Sequence, residues 1–369
     1  MRFTEEQEEL RTAVRQLLRR HPGGSAWRPL VEQIGVAGLA VPEEYGGAGC
    51  GAVEVHVVME ELGRELSPVP YLGSAVLAAQ ALLAAGSARE CAALLPGLVS
   101  GRATAALAWA EGGSWDPEAV RTEALASPGG WRLTGVKEHV LDGADAATVL
   151  VAARTGAGVS LFAVASDGPG VVRRGTVPMD ETRAQARVVL DGAEGRLVGA
   201  EGDGGRVLRH VLDLACTALA AEQVGAAARC LELTVAYAAE RVQFGRPIGS
   251  FQAVKHRLAD AYVRVESARS AALGAAFAAA DGTRGPELTR LAATAKSVCS
   301  EAFAEVAGET IQLHGGIGIT WEHDAHRYLK RAHGSARLFG PPHWHRSRLA
   351  TALGLPDPVP APVRDSVSR

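Results

Sequence analysis

The amino-acid sequence predicts an α+β protein in three parts: a helical N-terminal domain over 1–100, a small antiparallel β domain over 101–204 and a C-terminal four-helix bundle over 205–354. Three observations predict it. Five short β-prone runs, ATAALAWA, WRLTGV, ATVLVAA, VSLFAVA and ARVVLDG, follow one another in the middle third with Gly, Pro and Asp turns between them. After Pro178 the next prolines are Pro247, Pro286 and Pro341. The Ala-, Leu- and Arg-rich stretches between them suit long helices, because an internal proline breaks the helical ladder. Strands and helices do not alternate along the chain, which excludes a doubly wound nucleotide-binding sheet.

In the first part, Thr4 before EEQEEL is a helix N-cap with acidic residues in the first turn. A second helical pattern, VEVHVVMEELGREL, follows the turn at Tyr45–Gly51. That turn contains Gly47-x-Gly49-x-x-Ala52, which matches a dinucleotide fingerprint by letter. No strand precedes it, so it is a loop. In the last part, several proline-free helices make an antiparallel bundle. The tail over 355–369 is proline-rich and is expected to be a loose arm.

The 369 residues are enough for two or three domains with ample core. Apolar types at 47% and charged types at 21% exclude a mainly disordered or collagen-like chain. A formal charge of −3 gives no bulk electrostatic case for nucleic acid. There is no run near eighteen uncharged apolar residues and no apolar leader at the N-terminus, so no membrane insertion is expected and a cytoplasmic location is the default. The five cysteines form no C-x-x-C pair, which argues against a disulfide framework or a zinc knuckle. Six of the eleven histidines lie at 314, 323, 326, 333, 343 and 345. No Asp or Cys set completes a ligand shell around them, and no metal is expected.

The most specific stretch is YAAERVQFGRPIGSFQAVKHRLAD, residues 237–260. Physically it is a helix end, a turn with Gly245 and Pro247, and a new helix opened by Ser250. Such a turn puts Arg241 at a helix C-terminus beside exposed amides, a combination that suits a pyrophosphate. An ordinary helix–turn–helix with solvated arginines fits the same letters.

This stretch resembles the C-terminal signature of the acyl-CoA dehydrogenases. IQLHGGIGITWEHDAHRYLKR, residues 311–331, is similar to that family's Gly-Gly block, and VPEEYGGAG with MEELGREL is similar to its N-terminal helical domain. The three lie in family order, and the resemblance covers about residues 1–350. It implies FAD between the β domain and the bundle, completed by a neighbouring subunit of a homo- or hetero-oligomer, either dimer or tetramer. By matching, Arg241 and Phe244 would hold the diphosphate and adenine end, and Gln252 would be a further contact. Gln312, Gly315 and Gly316 would touch the FAD of the partner subunit, because a phosphate can approach backbone amides where no side chain intervenes. The implied reaction is anti elimination across the α–β bond of an acyl-CoA or related acyl thioester. A carboxylate takes the α-proton and the flavin takes the β-hydride. An electron acceptor such as electron-transfer flavoprotein then reoxidises the flavin.

The sequence departs from that pattern where the chemistry is done. Matched from the Gly-Gly block, the usual base position is Phe339, and the alternative base position on the first bundle helix is Ala215. The family's flavin-contact pair in the β domain falls on His139 and Leu141, and its flavin loop is reduced to AEGGSWDP, residues 110–117. Three replacement bases are available. Glu222 lies seven residues beyond Ala215, on nearly the same helix face about 10 Å along the axis. Facing a flavin it would have a raised pKa, although a structural salt bridge would use the same carboxylate. Asp213 points to the other side of the helix. His343 or His345 follows the vacated position. Cys216 either lines the acyl cavity or is a structural thiol, and His314 sits inside the FAD motif. The expected function is FAD-dependent α,β-desaturation of an acyl thioester with Glu222 as base. The alternative is a non-catalytic partner subunit that completes the FAD and substrate site of a base-bearing paralogue, as in heteromeric branches acting on steroid side chains. The fold also hosts flavin monooxygenases, but no residue here selects oxygenation.

Overall fold

The computed structural model describes residues 2–355. Thr4 opens helix α1 (Glu5–Arg20) through a capping box: its hydroxyl accepts from Gln7 N at 3.3 Å, and Gln7 Oε1 accepts from Thr4 N at 3.0 Å. Helices α2 (Ala52–Arg64), α3 (Tyr71–Ala85) and α4 (Ala88–Val99) complete the N-terminal part. The glycine-rich turn before α2 is a loop, as expected. Gly47 lies so close to the Val41 carbonyl that a Cβ would collide with it.

Seven strands follow: β1 (Ala105–Ala108), β2 (Glu123–Ser127), β3 (Gly130–Leu141), β4 (Thr148–Thr155), β5 (Gly158–Ala165), β6 (Val171–Gly175) and β7 (Gln185–Val198). β4 pairs with β5, β5 with β7, β7 with β3, β3 with β2, and β2 returns to β4, so the sheet closes into a barrel. β6 lies along β7 over Ala186–Leu190. Alternate residues fill the interior, among them Leu133, Val149, Val151, Phe162, Val188 and Leu190. The barrel is not purely antiparallel: β1 and β2 both run parallel to β4. Neither is joined to β4 by a tight turn, and only a tight turn forces the antiparallel sense.

The last part holds helices α5 (Gly204–Glu240), α6 (Gln252–Ala280), α7 (Gly285–His314), α8 (Ala325–Arg337) and α9 (Pro342–Ala352). α5, α6 and α7 pack on one another, α8 packs on α5 and α7, and α9 covers α7. Pro286 and Pro342 sit in first turns, where a missing N–H costs nothing. α5 is long and apolar enough to cross a bilayer by length and composition, but 94% of its apolar window is buried inside the fold. A hairpin, β8 (Val242–Gln243) and β9 (Arg246–Pro247), joins α5 to α6. Gln252, rather than Ser250, begins the next helix.

α2 crosses α5 at a pair of glycines. A Cβ on Gly63 would strike the Glu222 carbonyl, and one on Gly225 would strike the Glu60 carbonyl. This close approach seats the N-terminal part on the middle of α5. One hydrophobic core then runs from Val14 and Leu72 through Leu107 and Trp109 to Leu219 and Phe339. The arm expected over 355–369 lies outside the described residues from 356 onward.

Candidate functional site

The two positions matched to the family's base are buried and apolar. Phe339 and Ala215 are each 0% exposed. Glu222 is 4% exposed, as a base facing a buried substrate should be, but it is already paired. Its Oε1 accepts from Arg331 Nη1 at 2.7 Å and also from Arg183 Nη2. Arg331 is further held by Asp180 at 2.7 Å and by the Thr182 carbonyl and hydroxyl at 2.8 and 2.6 Å. Burial pushes the Glu222 carboxyl up, but the two guanidinium groups outweigh it and hold the pKa below the usual carboxylate value. The raised pKa expected for Glu222 is therefore corrected. The carboxylate is locked in an ion network joining the loop before β7, α5 and α8. A cavity of about 20 Å³ beside this network is lined by Glu222, Arg183, Arg331, Asp142 and Ser67. That is room for one water and not for an acyl chain.

The other replacement bases offer no free buried group. Asp213 accepts from Thr289 and from Arg348, each at 2.6 Å. His345 is fully buried with Nε2 2.9 Å from the Phe339 carbonyl and 3.8 Å from Cys216 Sγ. Burial, with Lys296 and Arg348 nearby, pushes its pKa down to about 3. His343 is exposed. Cys216 is fully buried, and burial pushes its thiol up to about 12, so it is a structural thiol.

Phe339, matched to the base position, converges with rings in and beside the segments matched to the family's flavin contacts, and these rings pack on one another. Phe339 lies parallel to Trp109, with centroids 5.9 Å apart and planes 10° apart. Trp115 stands edge-on to Phe339 at 5.2 Å and to Trp109 at 5.1 Å, and it stacks on His139 at 5.9 Å. Trp109, Trp115 and Leu141 are 2%, 8% and 3% exposed, and His139 forms the exposed rim. Trp109 and Trp115 were not singled out from the sequence. The available signal was that two of the chain's six tryptophans fall within or beside AEGGSWDP, the segment that departs from the family's flavin loop.

The residues matched to the adenosine-diphosphate end lie together on an open face. Arg241 caps the C-terminus of α5, and Phe244 stands on the hairpin tip, 92% exposed at φ +53°. Gln252, Gln312, Gly315 and Gly316 are exposed, and a Cβ on either glycine would meet nothing within 4 Å. The two motifs are tied by a stack of Tyr237 on His314, centroids 4.4 Å apart, with the Tyr237 hydroxyl donating to the His314 carbonyl at 3.4 Å. His314 is buried, with Nδ1 2.7 Å from the Thr310 carbonyl and its ring centroid 4.3 Å from that of His323. Among the described residues, no group of three or more His, Cys, Asp or Glu side chains is arranged to hold a metal ion. FAD thus fits this chain in part. Its diphosphate and adenine end suits the open arginine, amide and aromatic surface, whereas the positions matched to its ring contacts hold side chains packed on one another.

Comparison with known proteins agrees with this fold. Residues 4–102 match the acyl-CoA dehydrogenase N-terminal domain, and residues 202–354 match the acyl-CoA dehydrogenase C-terminal domain. The chain is 42% identical over 353 residues to the acyl-CoA dehydrogenase IpdE2 of Mycobacterium tuberculosis, covering 92% of this chain and 94% of that one. Among solved structures it resembles a variant of the Tcur3481–Tcur3483 steroid ACAD, with TM-score 0.86, 34% identity and coverage of 95% and 98%. It also resembles the ChsE4–ChsE5 complex of Mycobacterium tuberculosis, with TM-score 0.87, 31% identity and coverage of 98% and 99%. The chain belongs to the acyl-CoA dehydrogenase family, FAD-dependent oxidoreductases that act on CH–CH bonds.

Proposed function

We propose that this chain is the base-less subunit of a heteromeric acyl-CoA dehydrogenase and completes the site of a base-bearing paralogue. One observation carries the proposal. Phe339 and Ala215 cannot take a proton, and the replacement base Glu222 is held by Arg183 and Arg331. Desaturation by this chain with Glu222 as base would need that carboxylate free. The heteromer is supported by two solved relatives named for paired chains, Tcur3481–Tcur3483 and ChsE4–ChsE5.

In this assembly Arg241, Phe244, Gln252, Gln312, Gly315 and Gly316 of this chain take the diphosphate and adenine end of the FAD whose ring lies in the paralogue. Proton abstraction takes place at the paralogue's carboxylate. The substrate is a bulky acyl thioester of the steroid side-chain class, a reading supported by the likeness to a steroid ACAD. Electron-transfer flavoprotein is the acceptor.

The test is anaerobic flavin absorbance with acyl-CoA and steroid-like thioesters added. The chain alone is expected to give no bleaching, and co-expression with a paralogue that carries the base is expected to restore it. Bleaching by the chain alone refutes the proposal.

A further inference from the structure

Trp109, Trp115 and Phe339 reach one place from three separate parts of the chain: the residue after β1, the loop over 110–117 and the turn after α8. Their geometry is that of a built site. Trp109 Nε1 donates to the Trp115 carbonyl at 3.0 Å, so its one polar atom is satisfied inside the cluster. The Phe339 carbonyl meets His345 Nε2 at 2.9 Å. Phe339 itself sits at φ +61° and Gly340 at φ +102°, and a Cβ on Gly340 would run into the Trp344 ring. A bulky side chain at positive φ persists where its surroundings over-determine it, and such positions cluster at sites. A planar tricycle would bury its faces against aromatic and apolar walls. Here the protein's own rings pack on one another at 5.1–5.9 Å centroid spacings, which leaves no gap between them for a planar group.

We propose that the Trp109–Trp115–Phe339 cluster is a built-in substitute for the isoalloxazine ring. The chain keeps a site shaped for a planar heteroaromatic group and fills it with its own indoles and phenyl ring. It therefore folds without flavin and admits no flavin ring at that place. This concerns the chain by itself and does not depend on a paralogue.

The test uses the purified chain and riboflavin, which carries the ring without the adenosine diphosphate. Binding is read by flavin fluorescence anisotropy and by quenching of tryptophan emission. Wild type is expected to show no saturable binding. The double variant Trp115→Ala, Phe339→Ala is expected to bind riboflavin saturably, with partial quenching of tryptophan emission through Trp109. Should circular dichroism show the double variant unfolded, Trp115→Leu, which keeps apolar bulk but frees one ring's breadth, takes its place. Saturable binding of riboflavin by wild type overturns the proposal. A folded variant that binds no better than wild type overturns it too.

Discussion

Replacing Glu222 with Gln separates a structural carboxylate from a catalytic one. The glutamine keeps the volume and removes the charge. Arg183 then keeps an amide oxygen to donate to but loses the one carboxylate it is paired with, while Arg331 keeps Asp180 and both Thr182 oxygens. Breaking a buried ion pair by removing one partner costs about 3–5 kcal/mol. Because Arg331 keeps its other partners, the lower end applies, about 3 kcal/mol. At about 2–4 °C per kcal/mol for a unit of this size, Tm falls by about 6–12 °C. The assay is thermal melting of the chain at neutral pH, repeated in acid. The Glu222 pKa lies below its ordinary value of 4.5, so its contribution is full above 4.5 and is lost as pH falls through the lowered value. The gap between wild type and Glu222→Gln therefore narrows in strong acid. Equal melting of the two at neutral pH refutes the ion network. Equal melting together with loss of flavin reduction in the assembly makes Glu222 the base.

The remaining predictions concern acid stability and the open face. His345 is buried neutral at about 3 against an ordinary 6.5, so its contribution is complete above pH 6.5 and drains as pH falls toward 3. His345→Asn should flatten the fall of Tm between those values, and an unchanged slope contradicts the burial argument. Tyr237→Leu unstacks His314 and loosens the Arg241 turn from the Gly315–Gly316 turn. FAD retention by the assembly should fall about tenfold, with rescue by Tyr237→Phe and a chain Tm within about 2 °C of wild type; equal retention removes the clamp. Phe244→Ser removes a ring that is 92% exposed. The chain's own stability should change by less than about 0.5 kcal/mol, while sedimentation shows weaker assembly with a base-bearing paralogue. Unweakened assembly contradicts a role for the hairpin tip in the interface.

What was legible in the sequence was local or periodic. The order of helical, β and helical parts followed from proline spacing and turn residues, and the Thr4 cap followed from one side chain's reach. Two strands of the barrel were not legible. β2 is EALAS, made mostly of helix formers, and it is a strand because it pairs with β3 across the turn at Pro128 and Gly129. β6 is VVRRG, a partly exposed strand with no alternation to mark it, held along β7. The site was half legible. The apolar residues at the two matched base positions, Phe339 and Ala215, were visible, but the pairing of Glu222 was not. Its partners Arg183 and Arg331 lie 39 and 109 residues away and meet it only after the loop before β7 and α8 have packed on α5.

The two halves of the proposed FAD site rest on different physical demands, and that would let one be kept while the other is filled. The adenosine-diphosphate face is built from two turns: the hairpin after α5 and the glycine turn after α7. It requires an open surface, a guanidinium and bare amides, and the chain's own core does not depend on it. The proposed ring site lies inside the core, where Trp109 of the barrel side meets Phe339 of the bundle side. A slot left open there would forfeit the contacts of every wall facing it, at about 24 cal/mol per Å³ of cavity. A chain that no longer holds a ring must either tolerate that loss or fill the slot. In the proposed reading Phe339 and the two indoles packed on it fill the slot with rings, and the Trp109 N–H is satisfied by the Trp115 carbonyl. On the proposed reading, the Phe339 that stands at the base position also fills the core, and stability and loss of catalysis would follow from one packing change.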